Sequence, residues 1–285
     1  MPSIRRPIVA SQFYENDAET LKAQLNACFL HKLGPQTLPN INKTPHPRKI
    51  IGLITPHAGY HYSGPVAASA YYQLAQDGKP DTAILIGPNH TGHGSPLAIM
   101  RQGHWQTPLG NIEINTPMAD ELLQKNPHLN IDELSHQFEH SLEVQLPFLQ
   151  FLYGNTFKIV PLCIQPQDYP TALKIAHTLT KTLKNTNTIV IASSDMTHYE
   201  PAKTATAKDQ AILKKIIELD AKGFYNTVQT QNITACGFMP ITSLIIYAKS
   251  ICAHAEQLNY HNSGDITGDP SNVVGYAAVS FKKQP

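Results

Sequence analysis

A set of short apolar runs, too unbroken to have a wet face and too brief to be helices, constrains this chain more than any other feature. They cover residues 49–55 (KIIGLIT), 82–87 (TAILIG), 158–163 (KIVPLC), 188–193 (TIVIAS) and 272–281 (NVVGYAAVSF). A strand with one solvated face alternates apolar and polar residues, whereas a run without alternation reads as covered on both faces. Helical patterns over 65–76, 169–183, 205–219 and 240–253 lie between these runs. Strand and helix in alternation predict an α/β fold, a central and mostly parallel sheet with helices on both faces.

At 285 residues and 41% hydrophobic, the chain can bury a full core, and a single domain over 1–285 is the expectation. The proline-rich stretch 34–48 (GPQTLPNINKTPHPR) reads as a surface loop, since a lone helix before it could form no core. With 22 basic against 21 acidic residues and no block of like charge, neither a nucleic-acid footprint nor a polybasic membrane patch is expected. The N-terminal stretch is too short and polar for a signal sequence, and no apolar run is long enough to span a bilayer. Cys28, Cys163, Cys236 and Cys252 are scattered without a zinc-knuckle spacing or a Cys-x-x-Cys pair. Free thiols in a reducing cytoplasm are the expected state.

The chemistry concentrates where strands end. Three runs pass directly into histidine-bearing loops: Thr55-Pro56-His57-Ala58-Gly59, Gly87-Pro88-Asn89-His90 and Ser193-Ser194-Asp195-Met196-Thr197-His198. Ligands of open α/β sheets bind beyond the carboxyl ends of the strands, so parallel pairing predicts that these loops share one edge. The prolines stiffen the first two turns, which suits metal ligation or acid/base work by His57 and His90. His61, His93 and His104 are weaker candidates. His31, His46, His128, His177 and His254 read as ordinary hydrogen-bonded loop or surface residues. Cys236 precedes a glycine and a proline-led helical pattern, where a helix dipole favours the thiolate needed for nucleophilic attack or metal binding. Cys163, at a strand end, is a second candidate, while Cys28 and Cys252 read as packing residues. Residues 138–152 (FEHSLEVQLPFLQFL) place Phe138, Leu142, Leu146 and Leu149 on one helical face, and Pro147 predicts a kink or a new helix nearby. Glu139, His140 and Glu143 in that segment serve a site or form a solvated helix face; the pattern alone is compatible with both. No phosphate-binding glycine fingerprint, Gly-x-Ser-x-Gly elbow, His-Glu-x-x-His motif or calcium loop is present.

The segments PHAGYHYSG (56–64), GPNH (87–90), TPLG (107–110), EHSLEVQLPFL (139–149), SSDMTHY (193–199), ACG (235–237) and VVGYAAVSF (273–281) together resemble the Memo family, in order and over nearly the whole chain. The resemblance implies a fold similar to that of class III extradiol ring-cleaving dioxygenases. It implies a mononuclear metal held by His57, His90 and Cys236, with His198 as acid/base and Asp195 beside it. The dioxygenases complete two histidines with a carboxylate, whereas the matching group here is a thiol. A soft thiolate favours copper(I), zinc or a thiolate-tolerant iron site, so ring cleavage does not carry over. Iron(II) or copper is therefore the expected metal, with zinc as an alternative, and redox chemistry the expected activity. Two rival readings are a metal-sequestering or peptide-binding protein that keeps the pocket without catalysis, and cysteine-nucleophile chemistry with His198 as base. The resemblance further implies a small-molecule or peptide ligand and a radical-SAM protein as a partner.

Overall fold

The computed structural model describes residues 3–44 and 47–283, and His46 lies outside the described residues. One mixed sheet dominates. Its strands run in the order β10 (His198–Glu200), β12 (Val273–Lys283), β2 (Ile50–Thr55), β9 (Thr188–Ser193), β3 (Thr82–Pro88), β8 (Lys158–Ile164), β4 (Leu97–Ile99) and β7 (Asn130–Ile131). The long strand β11 (Ala253–Asn262) pairs with β12, and a small separate sheet joins β1 (Ile4–Arg5), β5 (His104–Thr107) and β6 (Gly110–Glu113).

The four central strands β2, β9, β3 and β8 are parallel, and apart from Lys158 every residue in them is buried. Burial from both faces is why these runs lack alternation. The sheet is less parallel than the sequence predicts, because β12 is antiparallel to β2, β11 and β10, and β4 is antiparallel to β8. β11 returns directly into β12 through a short connection, and only a longer crossover could have made that pair parallel.

Helices α1 (Ala18–Leu30), α2 (Tyr60–Gln76) and α5 (Leu146–Tyr153) cover one face, over a core that includes Phe29, Tyr71 and Phe148. The other face carries α3 (Thr116–Lys125), α6 (Tyr169–Thr182), α7 (Ala202–Ile217), α8 (Ala221–Thr230) and α9 (Phe238–Ser250), packed on Leu162, Val190, Phe224 and Ile241. The short helices α4 (Leu134–Gln137) and α10 (Gly264–Thr267) lie in connections. No described helix is long and apolar enough to cross a membrane.

Residues 138–152 do not form one helix. A turn leads into a 3-10 segment, Glu143–Gln145, and α5 starts afresh at Leu146 with Pro147 in its first turn, where proline's missing N–H costs nothing. Glu139 and Glu143 are fully buried, so they form no solvated face. The Glu143 carboxylate pairs with Arg5 and accepts from the backbone N–H groups of Ile8 and Val9 and from the Tyr14 hydroxyl, which fastens the N-terminal segment beneath the site.

Candidate metal centre

Adjacent parallel strands β2, β9 and β3 deliver their following loops to one edge, and antiparallel β12 begins there. His57 leaves β2, His90 leaves β3, and the turn ahead of the 3-10 segment brings in His140. Their ligand-capable atoms all lie within 4.8 Å of one another. The ring centroids are 5.2 Å apart for His57 and His90, 5.5 Å for His57 and His140, and 4.8 Å for His90 and His140. Cys236 comes from the turn before α9, and its Sγ is 3.1 Å from His57 Nε2. Gly237 permits that approach, because a Cβ there would stand 2.3 Å from the Ser193 carbonyl oxygen and 2.5 Å from Ser194 Cβ.

Hydrogen bonds behind the site fix which nitrogen of the His57 and His90 rings faces inward. The Ser193 hydroxyl donates to the Ser141 carbonyl (2.7 Å), which commits its single proton. It accepts from Gln145 Nε2 at 2.9 Å, and the amide is oriented by Thr55 and Tyr71 hydroxyls donating to its Oε1 at 2.8 and 2.7 Å. His57 Nδ1, 2.8 Å from Ser193 Oγ, must therefore donate, which leaves the Nε2 lone pair directed at Cys236 and the centre. Glu139 does the same for His90: one carboxylate oxygen is 3.0 Å from Nδ1, and the other accepts from the His90 backbone N–H at 2.5 Å. It also lies 3.5 Å from His140 Nδ1. A carboxylate behind an imidazole fixes the ring and raises its basicity as a ligand.

Burial pushes the Glu139 carboxyl up, but its hydrogen bond to His90 and the nearby imidazoles outweigh burial and bring it down to about 2. In the same pair, burial pushes His90 down and Glu139 prevails, so its pKa is raised. His57 and His140 are lowered, first by burial, and His57 also by the other imidazoles. They are thus neutral, as ligation requires. Cys236 corrects one expectation. The helix start was expected to favour the thiolate, yet burial, reinforced by Asp195, raises the thiol's pKa far above its usual value. Without a metal it is a protonated thiol that donates to His57 Nε2, a poor nucleophile.

Asp195 and His198 both reach this edge but are held by different partners. Asp195 Oδ1 accepts from the backbone N–H groups of His57 (2.8 Å) and Ala58 (3.3 Å), so the carboxyl pins the His57 loop. His198 Nδ1 donates to the Thr234 carbonyl at 2.9 Å, and its backbone N–H donates to Thr234 Oγ1 at 2.7 Å. The orienting bond expected from Asp195 thus comes from Thr234, and His198 Nε2 keeps a free lone pair. His61, His93 and His104 stand outside the three-histidine cluster. Cys163 is sealed in the core, 3.1 Å from His136 Nδ1. His140 is the group that sequence reasoning left unresolved; its signal was the unusual density of Glu139, His140 and Glu143 ahead of Pro147.

Three imidazoles, two of them with rear nitrogens committed, beside one thiol suit a first-row transition metal better than magnesium or calcium, which take oxygen ligands. A cleft of about 520 Å³ opens beside His90 and Cys236.

The description "Memo-like protein" matches residues 5–280. A MEMO1 family protein of Sulfurisphaera tokodaii is 45% identical over 281 residues, covering 98% of this chain and 99% of that one. One from Methanopyrus kandleri is 44% identical over 282 residues, with the same coverage. Among solved structures, an uncharacterized protein from Escherichia coli K12 superposes with a TM-score of 0.54 at 14% identity, over 80% of this chain and 99% of that one. That likeness concerns the fold alone.

Proposed function

This chain belongs to the Memo-like protein family, and from that premise we propose that it is a metal-dependent redox protein with one iron or copper ion held between His57, His90, His140 and Cys236. The observation that supports this reading most is the convergence of three imidazoles within 4.8 Å, with His57 and His90 oriented from behind by Ser193 and Glu139. Two ligand atoms on one ion with bonds of about 2.0 to 2.3 Å stand roughly 3 to 4 Å apart. The His57–Cys236 separation of 3.1 Å lies in that range.

A bound iron or copper ion would supply one-electron chemistry and polarise an oxygen ligand. The chain's own residues do the rest. Cys236 would release its proton to solvent if it bound the ion, His90 and Glu139 hold one across their hydrogen bond, and His198 Nε2 is placed to accept a proton from a substrate group. Asp195 holds the His57 loop in place through two backbone N–H groups. Ring cleavage of the dioxygenase type is not part of the proposal, since imidazole and thiol stand where those enzymes use a carboxylate.

Metal analysis of protein loaded in turn with iron(II), copper(I) and zinc, paired with oxygen consumption, tests this reading. One equivalent of iron or copper that is lost in His57→Ala, together with oxygen uptake, is the expected result. Tight zinc binding with neither iron nor copper retained, or metal binding that survives His57→Ala, overturns it.

A further inference from the structure

Among the described residues, the lining of the cleft beside the candidate centre carries no lysine, arginine, aspartate or glutamate. Its volume, about 520 Å³, falls in the range of small-molecule sites. Its only titratable lining residues are His90 and Cys236, at the end that meets the centre. The walls between β3 and α8–α9 are apolar, with Val228, Ile233 and Phe238. Gln229 and Asn232 face the same space; both are exposed, and neither side chain makes a hydrogen bond among the described residues. Their amides are free to meet a ligand.

The opposite edge of the sheet supplies the contrast. There a larger cavity of about 780 Å³ is lined by Lys43, Arg48, Lys79 and Lys283 together with Asp77 and Asp81. Charge is thus available on this surface and is withheld from the cleft at the centre. An ionic group resting against the walls away from the centre would shed water without meeting a counter-ion, whereas an uncharged apolar body with one hydrogen-bonding group would lose nothing it could not regain. Behind His90, Glu139 balances any proton that the imidazole carries.

We propose that this cleft selects an uncharged, predominantly apolar small molecule whose single polar group is read by the Gln229 or Asn232 amide. The inference rests on the centre at His90 and Cys236 being the functional site, and it names the substrate class for it.

The test uses the full chain freed of metal, so that no probe is held by a metal ion. Benzamide, benzoate and benzylammonium are titrated while methyl NMR signals of Val228 and Ile233 are followed. Benzamide is expected to shift both signals saturably, with benzoate and benzylammonium weaker by about tenfold or more. Gln229→Lys should bring benzoate to the affinity of benzamide, and Gln229→Glu should do so for benzylammonium. Equal or tighter binding of either ion by the parent, no saturable shift with benzamide, or shifts that leave Val228 and Ile233 unmoved would overturn the proposal. So would unchanged ranking in both Gln229 variants. Iron and copper content is read separately: the expected ranking in a protein that takes up neither metal sinks the metal reading alone, and the reverse sinks the cleft alone.

Discussion

Cys236 with His57 and Cys163 with His136 form two thiol–imidazole pairs of the same length, 3.1 Å in each. Both thiols are pushed up by burial and both imidazoles pushed down. Taken as pairs they are chemically alike. What differs is the remainder of each ring. His57 has its rear nitrogen committed to Ser193, and two further imidazoles share its inner side. His136 has no partner on Nε2 among the described residues; it packs edge-on against Trp105, which itself lies under the Arg5 guanidinium. A close Cys–His contact therefore does not define a site. Convergence of further donors, orientation from behind and an opening to solvent do.

The largest contrast is expected in metal content. His57→Ala should abolish stoichiometric iron or copper binding. His136→Ala should leave binding intact and instead lower stability by about 2 to 4 kcal/mol, as truncation of a fully buried ring does. Metal analysis and denaturant unfolding of both variants check this. Retained metal in His57→Ala, or lost metal in a folded His136→Ala, would make the two pairs equivalent after all.

Next in size is a rate effect. His198 stands at the same edge with Nδ1 tied to a carbonyl and Nε2 free, so His198→Gln should keep the metal and lose roughly 10²- to 10⁴-fold of any oxygen-dependent turnover. Complete metal loss in His198→Gln would instead make it a ligand.

How much of this was legible beforehand depends on which forces set each feature. The strands were readable because burial on both faces leaves an unbroken apolar signature, and residues 188–193 match β9 residue for residue. The loops bearing His57, His90 and His198 followed from the strands. β11 was not found: most of its residues are partly or fully exposed, so it carries no apolar run, and its register is set by β12 alone. His140 was ambiguous because a helical reading of 138–152 places Phe138 on the buried face, whereas the chain turns there and leaves it 53% exposed. The Thr234 bond that orients the His198 ring could not have been anticipated, since it comes from a backbone carbonyl, which no residue type announces.

A smaller effect sharpens the contrast from behind the ring. Glu139→Gln keeps the shape but removes the charge that His90 faces, and loss of such a partner typically costs about 10- to 100-fold in metal affinity. Calorimetric titration with copper(I) or zinc reads it. The matching change at the sealed pair, Cys163→Ser, should leave affinity unmoved. An unaltered affinity in Glu139→Gln would show that the carboxylate does not tune the ligand.

The smallest expected effect separates the pairs by pH in the absence of metal. Burial, and then the Arg5 charge, lower His136 from 6.5 to about 3. The folded protein therefore keeps this ring neutral where the unfolded chain has already bound a proton. The sign follows: the stability this neutral ring allows is fully present above pH 6.5 and is lost progressively as pH falls from there towards 3. At pH 5.5 the unfolded chain gains about 1.4 kcal/mol from protonating this one group. His136→Phe cannot titrate, so its unfolding free energy should fall less between pH 7.5 and 5.5 than the parent's by about that amount, whatever the substitution costs at pH 7.5. Urea unfolding of both proteins at the two pH values measures the difference directly. Identical pH dependence would mean that His136 is protonated in the folded protein, with its second nitrogen satisfied, and the sealed pair would then be as polar a place as the open one.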